Sequence, residues 1–294
     1  MHDASPPDTM PDLLPALPGW ILRARPDTAE DGAFVSGAAL ALLQLAEGQP
    51  AVPRALLRAR LSLDAAAASL ALTGRRDSAA QLRDEVHLLR PGDQPGPGGA
   101  VLRLWLRATE RPLSTAPLTG LLPDALSTLA GDPPRAGGPV PRAAAMLETA
   151  LALCPREEPA ALVLADATLS RALGWDHVLP LLAGSLTARD LRLSGPALQA
   201  ACHRAVTASA TAAVTRAGDL ARRAGRLRAV APRLRGKTSD AAVARFLSRD
   251  ALSPSLALSD LMSDRAARRL CDRLVALGVV RELTGRATFR LYGV

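Results

Sequence analysis

Aromatic side chains are almost missing from this sequence: Phe34, Phe246, Phe289, Tyr292, Trp20, Trp105 and Trp175 amount to 2% of 294 residues. A core with so few rings must be built from Leu, Ala and Val, which suits close-packed helices better than a β-sandwich. Cysteine is scarcer still. Cys154, Cys202 and Cys271 are odd in number and far apart, which argues against a disulfide framework and a CxxC-type metal site and points to a reducing cytoplasm. Long apolar runs are absent as well. The longest uncharged stretch, Gly32 to Ala46 between Asp31 and Glu47, falls short of the ~20 residues that span a bilayer, so it reads as a buried helix and no membrane partner is expected. Met1 to Pro18 has neither a basic start nor an apolar stretch and is rich in proline, so it reads as a disordered lead-in rather than a secretory leader.

What is present is ordinary for a globular protein, with 48% apolar and 22% charged residues. The length fits one large or two modest domains at about 100–200 residues each. The formal charge is +8, and every basic residue except Lys237 is Arg. Its distribution is uneven: residues 216–294 hold 17 basic residues against 7 acids, a net of +10, whereas residues 1–215 hold 19 against 21, a net of −2. A concentrated positive field attracts polyanions, where a diffuse one mainly confers solubility.

Helical periodicity starts at Thr28, a candidate cap, with Glu30 and Asp31 in the first turn and Phe34, Ala38, Leu42 and Leu45 recurring before Gly48, which predicts a helix over 29–47. Further helices are predicted within 53–73, 77–89, 100–109, 117–129, 140–153, 158–173, 177–187, 195–230 and 238–249, the 195–230 run being one helix or two broken near Gly218 or Gly225. Gly/Pro-rich stretches at 90–99 and 131–141 interrupt them. The fold class is therefore mainly α. An all-α body over 19–231 follows the lead-in at 1–18 and precedes a distinct unit at 232–294.

That last unit has the sharpest pattern. A short helix at 238–250 is followed by Ser253-Pro254, a cap and N1 pair for a second helix, and then by Ser263 to Leu277. There Ala266, Ala267, Leu270, Cys271, Leu274 and Leu277 share one face, and Arg265, Arg268, Arg269 and Arg273 the other, with Gly278 closing the helix. Val279 to Leu283 and Ala287 to Tyr292 read as a hairpin around Thr284-Gly285-Arg286, with Phe289 and Leu291 turned inward. Three short helices and a basic hairpin form a winged helix, whose third helix enters a major groove while the wing touches backbone. The expected DNA-binding residues are Arg265, Arg268, Arg269 and Arg273 on the helix and Arg281, Arg286 and Arg290 on the hairpin. Guanidinium groups pair with phosphate oxygens or the guanine edge.

The ending LSDLMSDRAARRLCDRLVALGVVRELTGRATFRLYGV resembles the helix-turn-helix segment that follows the catalytic domain in many Fic-type proteins. The segments at 28–43, 57–99, 172–183 and 231–247, such as TAEDGAFVSGAALALL and ALGWDHVLPLLA, resemble an alphaproteobacterial family known as domain of unknown function 1403, with a likeness covering nearly the whole chain from about residue 18. Neither resemblance implies an activity for the body. Fic catalysis uses His-Pro-Phe and Gly-Asn-Gly-Arg, whereas His2, His87, His177 and His203 are followed by Asp3, Leu88, Val178 and Arg204. Nucleotidyl transfer by that chemistry is not expected.

Other motifs favour structure over chemistry. Gly236-Lys237-Thr238 looks like the end of a phosphate loop, but its required glycine is replaced by Ala231. Gly96-Pro97-Gly98-Gly99 lacks GxGxxG spacing and reads as a rigid turn, though its amides could meet an anion. Asp84, Glu85, His87 and Asp93, with Asp166, Asp176 and His177, would hold a metal only if the chain brought them together; as caps and solvated faces they need no ligand, and Asp176 reads as an N-cap. Trp105 and Trp175 read as core anchors whose indole N–H groups need partners. The leading expectation is a DNA-associated accessory or regulatory protein, with no cofactor and no catalytic residues. A non-enzymatic interaction scaffold whose winged helix docks protein is the alternative, and a metal-dependent enzyme using the His87 and His177 clusters the third. The partners are duplex DNA and a second copy of the chain, because pairing two modules extends the readout.

Overall fold

The computed structural model describes residues 17–26, 28–90, 92–114, 118, 120–234 and 238–294. Within them α1 (Gly19–Leu22) leads into α2 (Ala29–Glu47). The start of α2 is fixed chemically: Thr28 Oγ1 accepts from the Asp31 N–H at 3.0 Å while Asp31 accepts from the Thr28 N–H at 3.3 Å, a capping box that satisfies two otherwise unpaired donors. The same device, Ser78 with Gln81, starts α4 (Ala79–His87) after α3 (Arg54–Leu72). Proline occupies the first or second position of α5 (Pro97–Glu110), α7 (Pro139–Leu153), α8 (Glu158–Ala172) and α9 (Gly195–Val230), where its missing N–H costs nothing. Between them lies α6 (Asp124–Leu129), shorter than the predicted 117–129; Pro123 immediately precedes it, and Pro117 falls outside the described residues.

α9 is the spine. Its 36 residues, about 54 Å long at 1.5 Å per residue, pack along α2, α7 and α3. It stays one helix past Gly218 and Gly225 because its buried stripe, Leu198, Ala205, Ala213, Leu220 and Leu227 among others, keeps a single phase throughout. α8 is enclosed on every side, residues 160–170 all being buried.

Two expectations in the body are corrected. The buried face of α2 is Val35, Ala39, Leu40, Leu43 and Ala46, while Phe34 and Leu45 are 67% and 59% exposed. Between Asp31 and Glu47 the helix carries no charge, so no charged stripe tells its two sides apart. Residues 177–187 form no helix. The N–H groups of Leu181, Leu182 and Ala183 instead donate to Asp166 at 3.0, 2.8 and 3.4 Å, and that of Leu179 donates to Ser170 Oγ. Asp176 consequently caps nothing, and its backbone oxygen accepts from Leu113.

The C-terminal region contains α10 (Ser239–Phe246), α11 (Pro254–Ala257), α12 (Asp264–Ala276), β1 (Arg281–Glu282) and β2 (Tyr292–Gly293). The antiparallel strands pair Arg281 with Gly293 and Glu282 with Tyr292, and Leu252 bridges Tyr292 on its other edge. This register corrects the predicted hairpin: 283–291 is a loop, tied by the Glu282 carboxylate to the N–H groups of Thr284 and Gly285. Phe289 has a φ of +53° and is 68% exposed rather than inward, whereas Leu291 is buried. Ion pairs fasten the region to the body. Asp250, 3% exposed, lies 2.7 Å from Arg60 Nε and 2.6 Å from Arg83 Nε, and Arg60 also donates to the backbone oxygen of Val294.

Candidate functional site

The seven arginines expected to meet DNA fall into separate settings. Arg265 and Arg269 are exposed on α12 without an acidic partner among the described residues. Arg268 is also exposed and pairs with Asp264 at 2.7 Å, a surface i,i+4 pair that holds it only weakly. Arg273 donates to the backbone oxygen of Arg233 at 2.9 Å. Arg286 reaches Asp84 of α4 at 2.6 Å, so the loop tip rests against the body. Arg290 donates through Nε to the Arg286 oxygen at 2.8 Å and is hydrogen-bonded to the Tyr292 side chain, which raises its pKa. Arg281 stands on β1 and, with Gly278, Val279 and Val294, lines a pocket that Arg223 and Arg226 of α9 complete. There burial first, and then Arg281, lowers the pKa of Arg223, with Asp219 opposing.

The arginines of α9 were missed although Arg223 and Arg226 stand three apart on a helix, a spacing that does put side chains side by side. Nothing local reveals that β1 arrives next to them. Arg268 and Arg290 instead line a second hollow, a cleft of about 480 Å³ between the end of α4, the start of α11, α12 and the 287–290 segment. Arg90 of the body joins them there, another residue whose role depends on tertiary docking.

The candidate metal ligands do not converge. Glu85 accepts from the Gly99 N–H at 2.6 Å, so the anion at the Gly-rich start of α5 is the protein's own carboxylate. Asp84 holds Arg286, and Asp93 accepts from the Arg90 N–H. Burial pushes the His87 pKa down to about 4, with Arg249, Arg83 and Arg60 adding to the effect and Asp250 opposing it. Asp166 serves three amides; full burial raises its pKa to about 7, and those hydrogen bonds limit the rise. His177 lies in a different cleft of about 520 Å³ with Glu47, Arg54, Arg58 and Trp175, its pKa lowered by burial and then Arg58. Among the described residues no three His, Cys, Asp or Glu side chains are grouped to hold a metal ion. The metal-enzyme reading therefore loses the convergence it required.

The fold does join Ser36 and His203, with Oγ 2.8 Å from Nδ1. Ser36 is 1% exposed and also donates to the Ala33 oxygen, and no carboxylate among the described residues orients the imidazole, so the pair ties α2 to α9 rather than forming an accessible nucleophile. Trp105 is fully buried and donates to Ser69, as a core anchor should; Trp175 is half-buried and donates to Gln44. Gly236 and Lys237 of the phosphate-loop-like motif lie outside the described residues.

Among the described residues no helix is long and apolar enough to cross a membrane. A comparison with curated proteins gives no match. The family described as Protein of unknown function (DUF1403) matches residues 7–294, which carries the resemblance through both the helical body and the arginine-rich end: the chain belongs to that family.

Proposed function

We propose that this is a DNA-associated accessory or regulatory protein whose residues 232–294 act as a winged helix, with α12 presented to the duplex and the 283–291 loop as its wing. The observation that carries this reading is the outer face of α12, where Arg265 and Arg269 have no acidic partner among the described residues, within residues 216–294, whose net charge is +10. Arg268 joins them by leaving Asp264, and Arg281 extends the field toward α9. Arg273 has a backbone acceptor and contributes charge more than contact.

Fluorescence anisotropy of the full chain against a mixed-sequence duplex at two salt concentrations tests it. Binding should weaken steeply with salt, and Arg265→Ala with Arg269→Ala should flatten the log–log slope by roughly 1.8, at ~0.9 per lost phosphate contact. Salt-independent binding, no binding, or an unchanged slope would overturn the reading. The alternative, a scaffold docking a protein, is favoured by Val275 and Leu277, 38% and 42% exposed at the end of the same helix. We extend the proposal to a homodimer, since two copies would double a short readout. A monomer by light scattering at micromolar concentration, with and without duplex, would reject it.

A further inference from the structure

We propose that the cleft between the body and the C-terminal region binds a free mononucleotide. Its lining combines three cations from three parts of the chain: Arg90 after α4, Arg268 on α12, and Arg290 before β2. Against them stands one lining carboxylate, Asp272, so the hollow has an excess of positive charge. The Arg90 guanidinium is paired with no acid among the described residues, the Asp93 carboxylate taking its backbone N–H instead, and the partner of Arg268 is a solvent-exposed Asp264. Guanidinium groups so placed can take a phosphate through paired N–H donors. Ser253, Ser255 and Thr288 add hydroxyls to the same wall.

The second, independent observation is Phe289. Among the described residues it is the one non-glycine with positive φ, at +53°, a conformation that bulky side chains avoid. It keeps the ring 68% exposed at the cleft, whereas Leu291 and Tyr292, which follow the exposed Arg290, are buried. Strain of this kind concentrates at ligand clamps. A phosphate alone would leave the ring without purpose, whereas a flat heterocycle would stack on it. Asp272 then offers an acceptor for a ring or exocyclic N–H. About 480 Å³ falls in the range of small-molecule pockets. Phosphate, aromatic plane and N–H donor together describe a mononucleotide, and the site stands whether or not α12 binds duplex DNA.

Calorimetric titration of the full chain with AMP, GMP, CMP and UMP, with the corresponding nucleosides and with inorganic phosphate, tests the assignment. At least one monophosphate should bind at least about tenfold tighter than its nucleoside and than inorganic phosphate. Arg90→Ala and Phe289→Gly should each weaken it at least about tenfold, while Arg135→Ala on the far Gly/Pro-rich connection leaves it unchanged. Phe289→Gly relieves the backbone strain, so its circular dichroism and melting temperature should be kept or improved while binding falls, which a purely structural role would not give. Four results would overturn the proposal: no monophosphate binding, equal binding of inorganic phosphate, full affinity in Arg90→Ala, or binding restricted to oligonucleotides.

Discussion

At Asp166 the protein buries a carboxyl at 0% exposure whose partners are three backbone N–H groups of a segment that never becomes helical. Asp166→Ala leaves those donors orphaned, at ~1 kcal/mol or more each, so urea denaturation should show a loss of about 3 kcal/mol or more. Asp166→Asn keeps one acceptor oxygen and should lose less. The same residue and His87 pull stability in opposite directions with pH. His87 titrates near 6.5 unfolded and about 4 folded, so the unfolded chain takes up its proton first and this contribution falls as pH drops from 6.5 to 4. Asp166 titrates near 3.8 unfolded and about 7 folded, so its contribution falls as pH rises from 3.8 to 7. Each slope approaches ~1.4 kcal/mol per pH unit where only one state is protonated. Relative to the parent, His87→Gln should therefore make stability fall more steeply between pH 4 and 6.5 as pH rises, and Asp166→Asn should make it climb. Parallel stability–pH curves for parent and variants would contradict both assignments. None of this is legible in the sequence, where Asp166 is one more acid in a Leu/Ala-rich helix.

Elements were readable where their signals are local. The limits of α2 and α9 follow from Thr28, Gly48, Pro196 and an unbroken apolar phase, and they coincide with the predicted 29–47 and 195–230. Legibility failed where another part of the chain supplies the decisive atom: Asp166 takes the amides of 181–183, and Asp250 brings Arg60 and Arg83 to the back of the C-terminal strands. Asp250→Ala would leave two largely buried guanidinium groups without their acid, and a cost of about 3–5 kcal/mol is expected. At Gly293 a Cβ would lie 2.7 Å from the Asp250 backbone oxygen and 3.0 Å from Leu283 Cδ1. Gly293→Ala should thus lower stability by roughly 1–3 kcal/mol through displacement of β2. Thermal melts that leave either variant at the parental midpoint would show the C-terminal strands to be loosely seated. The composition of the cleft was equally hidden, since Arg90 and Arg290 meet only after this docking.

On the scale of the whole molecule, residues 1–215, of net charge −2, precede a strongly basic end of net charge +10 over 216–294, and the contact between the C-terminal loop and α4 uses a residue proposed for DNA, Arg286. Arg286 cannot serve a phosphate while it remains 2.6 Å from Asp84. With side chains 42% and 31% exposed, that pair is solvated and worth little on its own, so a duplex backbone can compete for the guanidinium. On the proposed reading, Asp84 acts as a brake on the loop that would serve as the wing. In the anisotropy titration, Asp84→Asn should bind duplex more tightly than the parent and steepen the salt slope by up to ~0.9, the increment for one added phosphate contact. Arg286→Ala should lose that gain when combined with Asp84→Asn, because the two substitutions act on one interaction and will not add. If Asp84→Asn leaves affinity and slope unchanged while Arg265→Ala with Arg269→Ala reduces both, the wing tip is a structural clasp and α12 alone faces the DNA.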